Sequence, residues 1–218
     1  MNCAIFLTAR INSSRLPKKA LLDINGETVT DILINRLKKT GIPIIMCATT
    51  EQDDRRYLKP IANNHNIGYH EAPAGNIIAQ HLQAARENDV DYIILSEIDD
   101  WLVCSETVNA VYYRAKELKF KRAILTEGLP FGMNVIAAYP RENLENAGFT
   151  GDTGWGAYVT KGAYVLEFNY ARQYKLSMDY LEDFETMKDV YLNCKRNQYV
   201  GGIVSYMDKQ IKAGEVIA

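Results

Sequence analysis

At 218 residues, 47% apolar and 24% charged, the chain can bury a large core, and one α/β domain over residues 1–218 is the expectation. Its 25 basic and 27 acidic residues leave a net charge of −2, which excludes a general binder of nucleic acid or of membrane surfaces, since either needs excess positive charge. The first residues lack a signal-peptide layout, no apolar run approaches the ~20 residues that span a bilayer, and the four cysteines (Cys3, Cys47, Cys104, Cys194) form no CxxC pair. A cytoplasmic protein with reduced core thiols is expected.

Strand and helix patterns alternate through the first half. Residues 3–8 are an apolar run that reads as a buried strand. Ile32, Leu33 and Leu37 are spaced for a helix over 31–39 with a basic last turn. Residues 42–48 read as a strand, 53–64 as a helix that Pro60 kinks or shortens, and 67–69 as a short strand. An amphipathic helix over 76–88 precedes an apolar strand over 92–95. This alternation predicts a parallel sheet with right-handed crossovers and helices on both faces.

The second half is less regular. Helices are expected over 106–118 and from 180 to about 194, and strands over 122–126, 133–138 and 174–178. The glycine-rich stretch 148–162 reads as a loop or loose hairpin, fit for a lid or a subunit contact. Gly201-Gly202 reads as a turn.

Three groups of residues carry chemistry. The loop after the first strand holds Arg10, Arg15, Lys18 and Lys19 with no acid before Asp23. Such a cluster at the C-terminal end of a strand holds a polyanion, with Arg giving bidentate contacts and Lys a point charge. Ser13, Ser14 and their amides add donors, Pro17 stiffens the loop, and no GxxxxGK[ST] pattern is present. On charge alone a solvated basic turn explains the loop equally well. The second group is Glu97, Asp99 and Asp100, after the most apolar strand. Carboxylates there suit Mg²⁺, or simply cap the next helix; Trp101 reads as core. The third is Asp179, whose plainest role is N-cap of the following helix with Glu182 as the capping-box acid. Thr49 and Thr50 end the second strand, where a nucleotide would lie. His65, His70 and His81 lack metal-ligand spacing.

In this order, the segments resemble the cytidylyltransferases that make CMP-activated sugar acids. The spore-coat-polysaccharide type is nearest, with the 3-deoxy-manno-octulosonate and acylneuraminate enzymes as relatives. The family's A-R-x-x-S-x-R-L-P-x-K loop is matched in full by Ala9-Arg10-Ile11-Asn12-Ser13-Ser14-Arg15-Leu16-Pro17-Lys18-Lys19. Its G-D-x-P-L element stands as Ile98-Asp99-Asp100-Trp101-Leu102, keeping the aspartate and losing the glycine and proline. Its L-T-V-D-x-x-E-D element stands as Leu176-Ser177-Met178-Asp179-Tyr180-Leu181-Glu182-Asp183. Ala48-Thr49-Thr50 and Gly132-Met133-Asn134-Val135 are also similar to family segments. His70, Asn76, Gln80 and Ile136 depart from the pattern on the acceptor or base side.

The resemblance implies a Rossmann-like, mostly parallel sheet of the nucleotide-diphospho-sugar transferase type. It also implies a small β-rich extension over 130–170 that serves dimerisation or the acceptor, and a homodimer. It implies CMP transfer from CTP to a small acidic acceptor with release of pyrophosphate and with Mg²⁺ as cofactor. Arg10, Lys19 and Asp99 would be catalytic. Ala9, Arg10, Ser13, Arg15, Lys19, Thr49 and Asp99 would bind the nucleotide, and Asp99 and Asp179 the metal. Two other readings stay open: a metal-dependent glycosyltransferase on the same fold, and a nucleotide-binding or interaction protein with reduced catalysis.

Overall fold

The computed structural model describes residues 1–151, 153–170, 174–194 and 198–212; position 152 of the expected 148–162 loop lies outside them. The strands are β1 (Cys3–Thr8), β2 (Asp23–Ile24), β3 (Glu27–Thr28), β4 (Ile44–Thr49), β5 (Gly68–Ala72), β6 (Tyr92–Glu97), β7 (Ile124–Glu127), β8 (Ala137–Pro140) and β9 (Tyr164–Glu167). The helices are α1 (Val29–Lys38), α2 (Gln52–Asn64), α3 (Ile77–Glu87), α4 (Ser105–Glu117), α5 (Arg141–Glu145), α6 (Gly156–Val159), α7 (Leu181–Asn193) and α8 (Val200–Lys212). Seven strands form one sheet in the order β5-β4-β1-β6-β8-β7-β9, and β2 and β3 form a separate small hairpin. All neighbours in the sheet run parallel except at β8, which is antiparallel to both β6 and β7.

The apolar runs of β1, β4 and β6 follow from burial on both faces. Ile5, Leu7, Ile44, Met46, Tyr92 and Ile94 face one core cluster, under α1, α2, α4, α7 and α8. The alternate residues Ala4, Phe6, Ile45, Cys47, Ile93 and Leu95 face a second cluster, under α3 and α5. Helix starts are chemically explicit: Thr28 caps α1 in a reciprocal box with Asp31, and Asn76 caps α3 through the Ala79 amide. Cys47, Cys104 and Cys194 are buried, and all four cysteines are free thiols. Among the described residues, no helix is long and apolar enough to cross a membrane.

Several expectations shift. The strand expected from Ile42 begins at Ile44, beyond Pro43, which has no N–H to give a ladder. Helix α2 continues through Pro60 to Asn64. The strand expected over 133–138 is Ala137–Pro140 instead; Met133 and Val135 are buried by packing rather than by sheet pairing, and the Met133 amide closes a turn on Pro130. Residues 174–178 form no strand, only one bridge from Lys175 to Phe131. The stretch 148–162 contains the four-residue α6 rather than a hairpin, pinned by buried Trp155 and Val159. Residues 130–170 supply β8 and β9 to the main sheet. Gly201-Gly202 lies within α8, not in a turn. The buried face Val200, Ile203, Val204 and Met207 outweighs the ~1 kcal/mol helix penalty of each glycine.

Candidate active site

In the sheet register Thr8 of β1 stands beside Cys47 of β4 and Glu97 of β6, so three parallel strands end together. Beyond them opens a cleft of about 310 Å³, the position at which open α/β sheets take ligands.

The loop after β1 forms one wall. Its apolar member, Ile11, is fully buried, and the Ile11 carbonyl accepts the amides of Ser13 (3.1 Å) and Lys18 (2.9 Å). The loop therefore curls around an apolar pin. The Ser13 hydroxyl accepts the Leu16 amide at 3.5 Å, and Lys18 takes a left-handed φ of 59° where the loop enters its closing turn. Arg10 and Arg15 stay exposed, while Lys19 is 95% buried, being only 5% exposed.

Carboxylates form the facing wall. Lys19 Nζ lies 2.5 Å from Asp99 Oδ1 and 3.3 Å from the Met178 carbonyl. Arg15 Nη2 lies 2.7 Å from Asp179 Oδ1. Asp99 and Asp179 are far apart in sequence, and a backbone bond from the Met178 amide to the Asp99 carbonyl (2.8 Å) brings their segments together. The expected capping role of Asp179 does not hold. Tyr180 is the N-cap of α7, and it is Asp183, not Glu182, whose carboxylate accepts the amides of Tyr180 (2.8 Å) and Asp179 (2.9 Å). That arrangement leaves the Asp179 side chain facing the cations.

Two further acids crowd this wall. Burial, reinforced by the charge of Asp99, pushes Glu97 up to about 7 against the opposing pull of Lys19 and Arg10. Burial likewise pushes Asp100 up to about 7, despite a hydrogen bond with the Ser177 side chain, with Glu97, Asp99 and Asp179 adding to the shift. Among the described residues, no three His, Cys, Asp or Glu side chains already converge as a metal cage. Two aspartates with hard oxygen donors nonetheless fit Mg²⁺, which takes one or two protein carboxylates and completes its shell with water and substrate phosphate.

Ala9, Arg10, Ser13, Arg15, Lys19, Thr49 and Asp99 all line the cleft, and Asp179 joins them through Arg15. The Thr49 hydroxyl is turned inward and donates to Asp54 at 2.6 Å. Lys18 points elsewhere, with its ammonium 6.0 Å from the Tyr57 ring centre. The departures from the family pattern divide. Trp101 and Ile98 are buried, and Trp101 packs edge-on against Tyr191. His70 is buried with Nδ1 3.1 Å from Glu87. Asn76 is occupied as a cap, and Ile136 packs on the second core cluster. Gln80 and Ile98 do line the cleft, the Gln80 amide donating to the Pro73 carbonyl at 2.5 Å. Sequence reasoning missed Trp155, which closes the cleft from the glycine-rich stretch, and Asp54, which looked like one of two equivalent acids at a helix start.

Residues 4–73 match the family model described as cytidylyltransferase. Over 113 residues the chain is 33% identical to 3-deoxy-manno-octulosonate cytidylyltransferase 2 of Hydrogenovibrio crunogenus, spanning 51% of this chain and 46% of that protein. Over 67 residues it is 34% identical to the 3-deoxy-manno-octulosonate cytidylyltransferase of Nitrosococcus oceani, spanning 31% of this chain and 24% of that one. The chain thus spans less than half the length of these curated relatives. Among solved structures, a cytidylyltransferase from Leptospira borgpetersenii superposes with a TM-score of 0.83 at 20% identity, covering 100% of this chain and 97% of that one. A CMP:2-keto-3-deoxy-manno-octonic acid synthetase complexed with CTP gives 0.66 at 12% identity, covering 88% and 99%. At these identities the superpositions speak for the fold alone, a mostly parallel sheet flanked by helices that this chain shares with both proteins.

Proposed function

We propose that this chain is a cytidylyltransferase that transfers CMP from CTP to a small acidic acceptor and releases pyrophosphate, a reading supported by its match over residues 4–73 and its similarity to curated relatives. The observation that carries this reading is the pairing of Arg15 with Asp179 and Lys19 with Asp99 across one cleft. Cations alone would suit any polyanion. Cations set against carboxylates across one cleft suit a triphosphate bound together with a divalent metal.

Nucleotidyl transfer needs positioning and charge neutralisation more than covalent chemistry. Arg10, Arg15 and Lys19 bind the β- and γ-phosphates and stabilise the departing pyrophosphate. Their engagement by phosphate oxygens releases Asp99 and Asp179 from their present ion pairs, so those carboxylates become free to hold Mg²⁺. When bound, the metal supplies Lewis-acid polarisation at the α-phosphate. Lys19, almost wholly buried, acts where water screens it least. An acidic acceptor oxygen attacks without a dedicated protein base. The homodimer implied by the family resemblance is part of the same proposal, read by light scattering.

The test is pyrophosphate release from CTP with a panel of sugar acids and phosphonates, with and without Mg²⁺, repeated with Lys19→Ala and Asp179→Ala. The expected result is metal-dependent release that drops about 100-fold or more in both variants. Undiminished release in both would overturn these roles. Turnover of a nucleotide sugar instead of CTP would favour the glycosyltransferase reading. A CTP-induced rise in melting temperature without any turnover would favour the binding protein.

A further inference from the structure

We propose that Asp54, fully buried and outside the cleft lining, is the positioning residue that holds the cationic loop against the end of β4. This inference rests on the triphosphate reading of that loop. One carboxylate oxygen of Asp54 accepts the Ile11 amide at 2.6 Å. The other accepts both the Thr49 amide at 3.0 Å and the Thr49 hydroxyl at 2.6 Å. Ile11 is the node of the loop: its carbonyl ties down Ser13 and Lys18, and among the described residues its N–H is anchored only through Asp54. Arg10 precedes this node directly, and Ser13 is bound to it.

The chemistry of the three donors explains why a carboxylate stands there. Two N–H groups and one hydroxyl converge on one side chain, and a carboxylate is the only side chain of that length that accepts from all of them. Asparagine must turn its NH₂ toward one of the donors. A buried carboxylate is costly to desolvate, and among the described residues Asp54 has no ion pair to offset that cost. Its compensation is the three hydrogen bonds and its place in the first turn of α2, where the helix dipole favours negative charge. A neutral packing residue would link α2 to the sheet at lower cost, but it would leave the Ile11 and Thr49 amides unsatisfied and the loop free to shift. Asp54 touches no substrate atom in this scheme; it acts through Ile11 and Thr49.

The experiment compares wild type, Asp54→Asn and, as a control with the same charge change one residue away, Asp53→Asn. Binding of CTP with Mg²⁺ and of inorganic tripolyphosphate is measured by calorimetry, and amide hydrogen exchange is followed at Ile11, Thr49 and Ile94. The expected result for Asp54→Asn is at least tenfold weaker binding of both probes and a matching rise in KM for CTP. Exchange at Ile11 and Thr49 accelerates at least tenfold, while Ile94 in β6 and all properties of Asp53→Asn stay unchanged. Binding within twofold of wild type in folded Asp54→Asn overturns the proposal, as does a fall in kcat alone at constant KM, the mark of a reduced folded fraction. If that variant does not fold, wild type decides: an Ile11 amide exchanging as fast as that of exposed Ser14 overturns the anchoring role, and a strongly protected one supports it. A wild type that binds neither probe defeats the triphosphate reading, and the exchange data then decide the anchoring role separately.

Discussion

The cationic wall of the cleft is one continuous stretch of chain, Arg10 to Lys19, whereas its carboxylate wall is drawn from two distant segments, Asp99 after β6 and Asp179 before α7. The first wall is organised by local bonds around Ile11 and anchored by one buried acid. The second exists only because the 174–178 segment docks, through the Phe131–Lys175 bridge, the buried side chains of Leu176 and Met178, and the Met178–Asp99 backbone bond. A contiguous wall tolerates distant changes that a composite wall does not. The ion pairs between them couple the two, so charge in the cleft is balanced only when both are in place.

The largest effect is expected at the buried one of the two cations that bridge the walls. Lys19→Ala removes the partner of Asp99 and the donor to Met178, and pyrophosphate release should fall by about 10²–10³, equivalent to about 2.7–4 kcal/mol of transition-state stabilisation. Gly132→Ala should damage the composite wall alone. Gly132 has φ of +88°, and an added Cβ would lie 2.0 Å from the Leu176 carbonyl oxygen, so a loss of about 3 kcal/mol in urea denaturation is expected. In the fraction that remains folded, tripolyphosphate binding should survive while the Mg²⁺ dependence weakens.

A control comes from His81, which belongs to neither wall. It lies beneath Trp155 at a ring distance of 5.5 Å and meets the Tyr139 hydroxyl at 3.1 Å. Burial, with a smaller contribution from His70, drives it down to about 3. Below an unfolded value of about 6.5 the unfolded chain takes up a proton that the folded chain refuses. Its stabilisation is therefore complete above that pH and is lost as pH falls toward 3, by about 2 kcal/mol between pH 6.5 and 5. Glu97 and Asp100, raised in the folded state, act in the opposite sense and lose stability as pH rises toward 7. Comparing wild type with His81→Asn isolates the histidine: the variant should lose the acid-side slope, and identical slopes would refute the assignment. The smallest effect on stability is expected at Arg15→Ala. Arg15 is half exposed beside Asp179, so stability should change by less than about 1 kcal/mol, while the Kd for CTP with Mg²⁺ rises roughly tenfold.

Legibility in the sequence follows the same division. The alternating elements of the first half, the A-R-x-x-S-x-R-L-P-x-K loop and the metal-type aspartates can be read from neighbouring residues, because period, cap and motif are local properties. Asp54 could not be distinguished from Asp53, since what separates them is that one is buried against Ile11 and Thr49. By spacing alone Asp179 looked like a cap, with Glu182 as its partner, and the structure gives that work to the carboxylate of Asp183, which leaves the Asp179 side chain to Arg15. Trp155 gave no signal within its glycine-rich stretch, and α8 was hidden by a glycine pair although Val200, Ile203, Val204 and Met207 carry a helical period. Of the strand expected over 133–138 only Ala137 and Ala138 pair, while Met133 and Val135 are buried without pairing, because burial alone does not say whether side chains or ladder bonds consume a segment.

The amino-acid order by itself determined the strand–loop–helix rhythm, the cationic loop and the identities of the acids that face it, since each depends on residues within a few positions of one another. Tertiary structure alone decided that Asp99 and Asp179 share a wall, that the Thr49 hydroxyl turns inward, and that Asp54 underpins the loop. These are contacts between segments distant in sequence, and their geometry depends on how the two core clusters pack against the sheet, which no local pattern encodes.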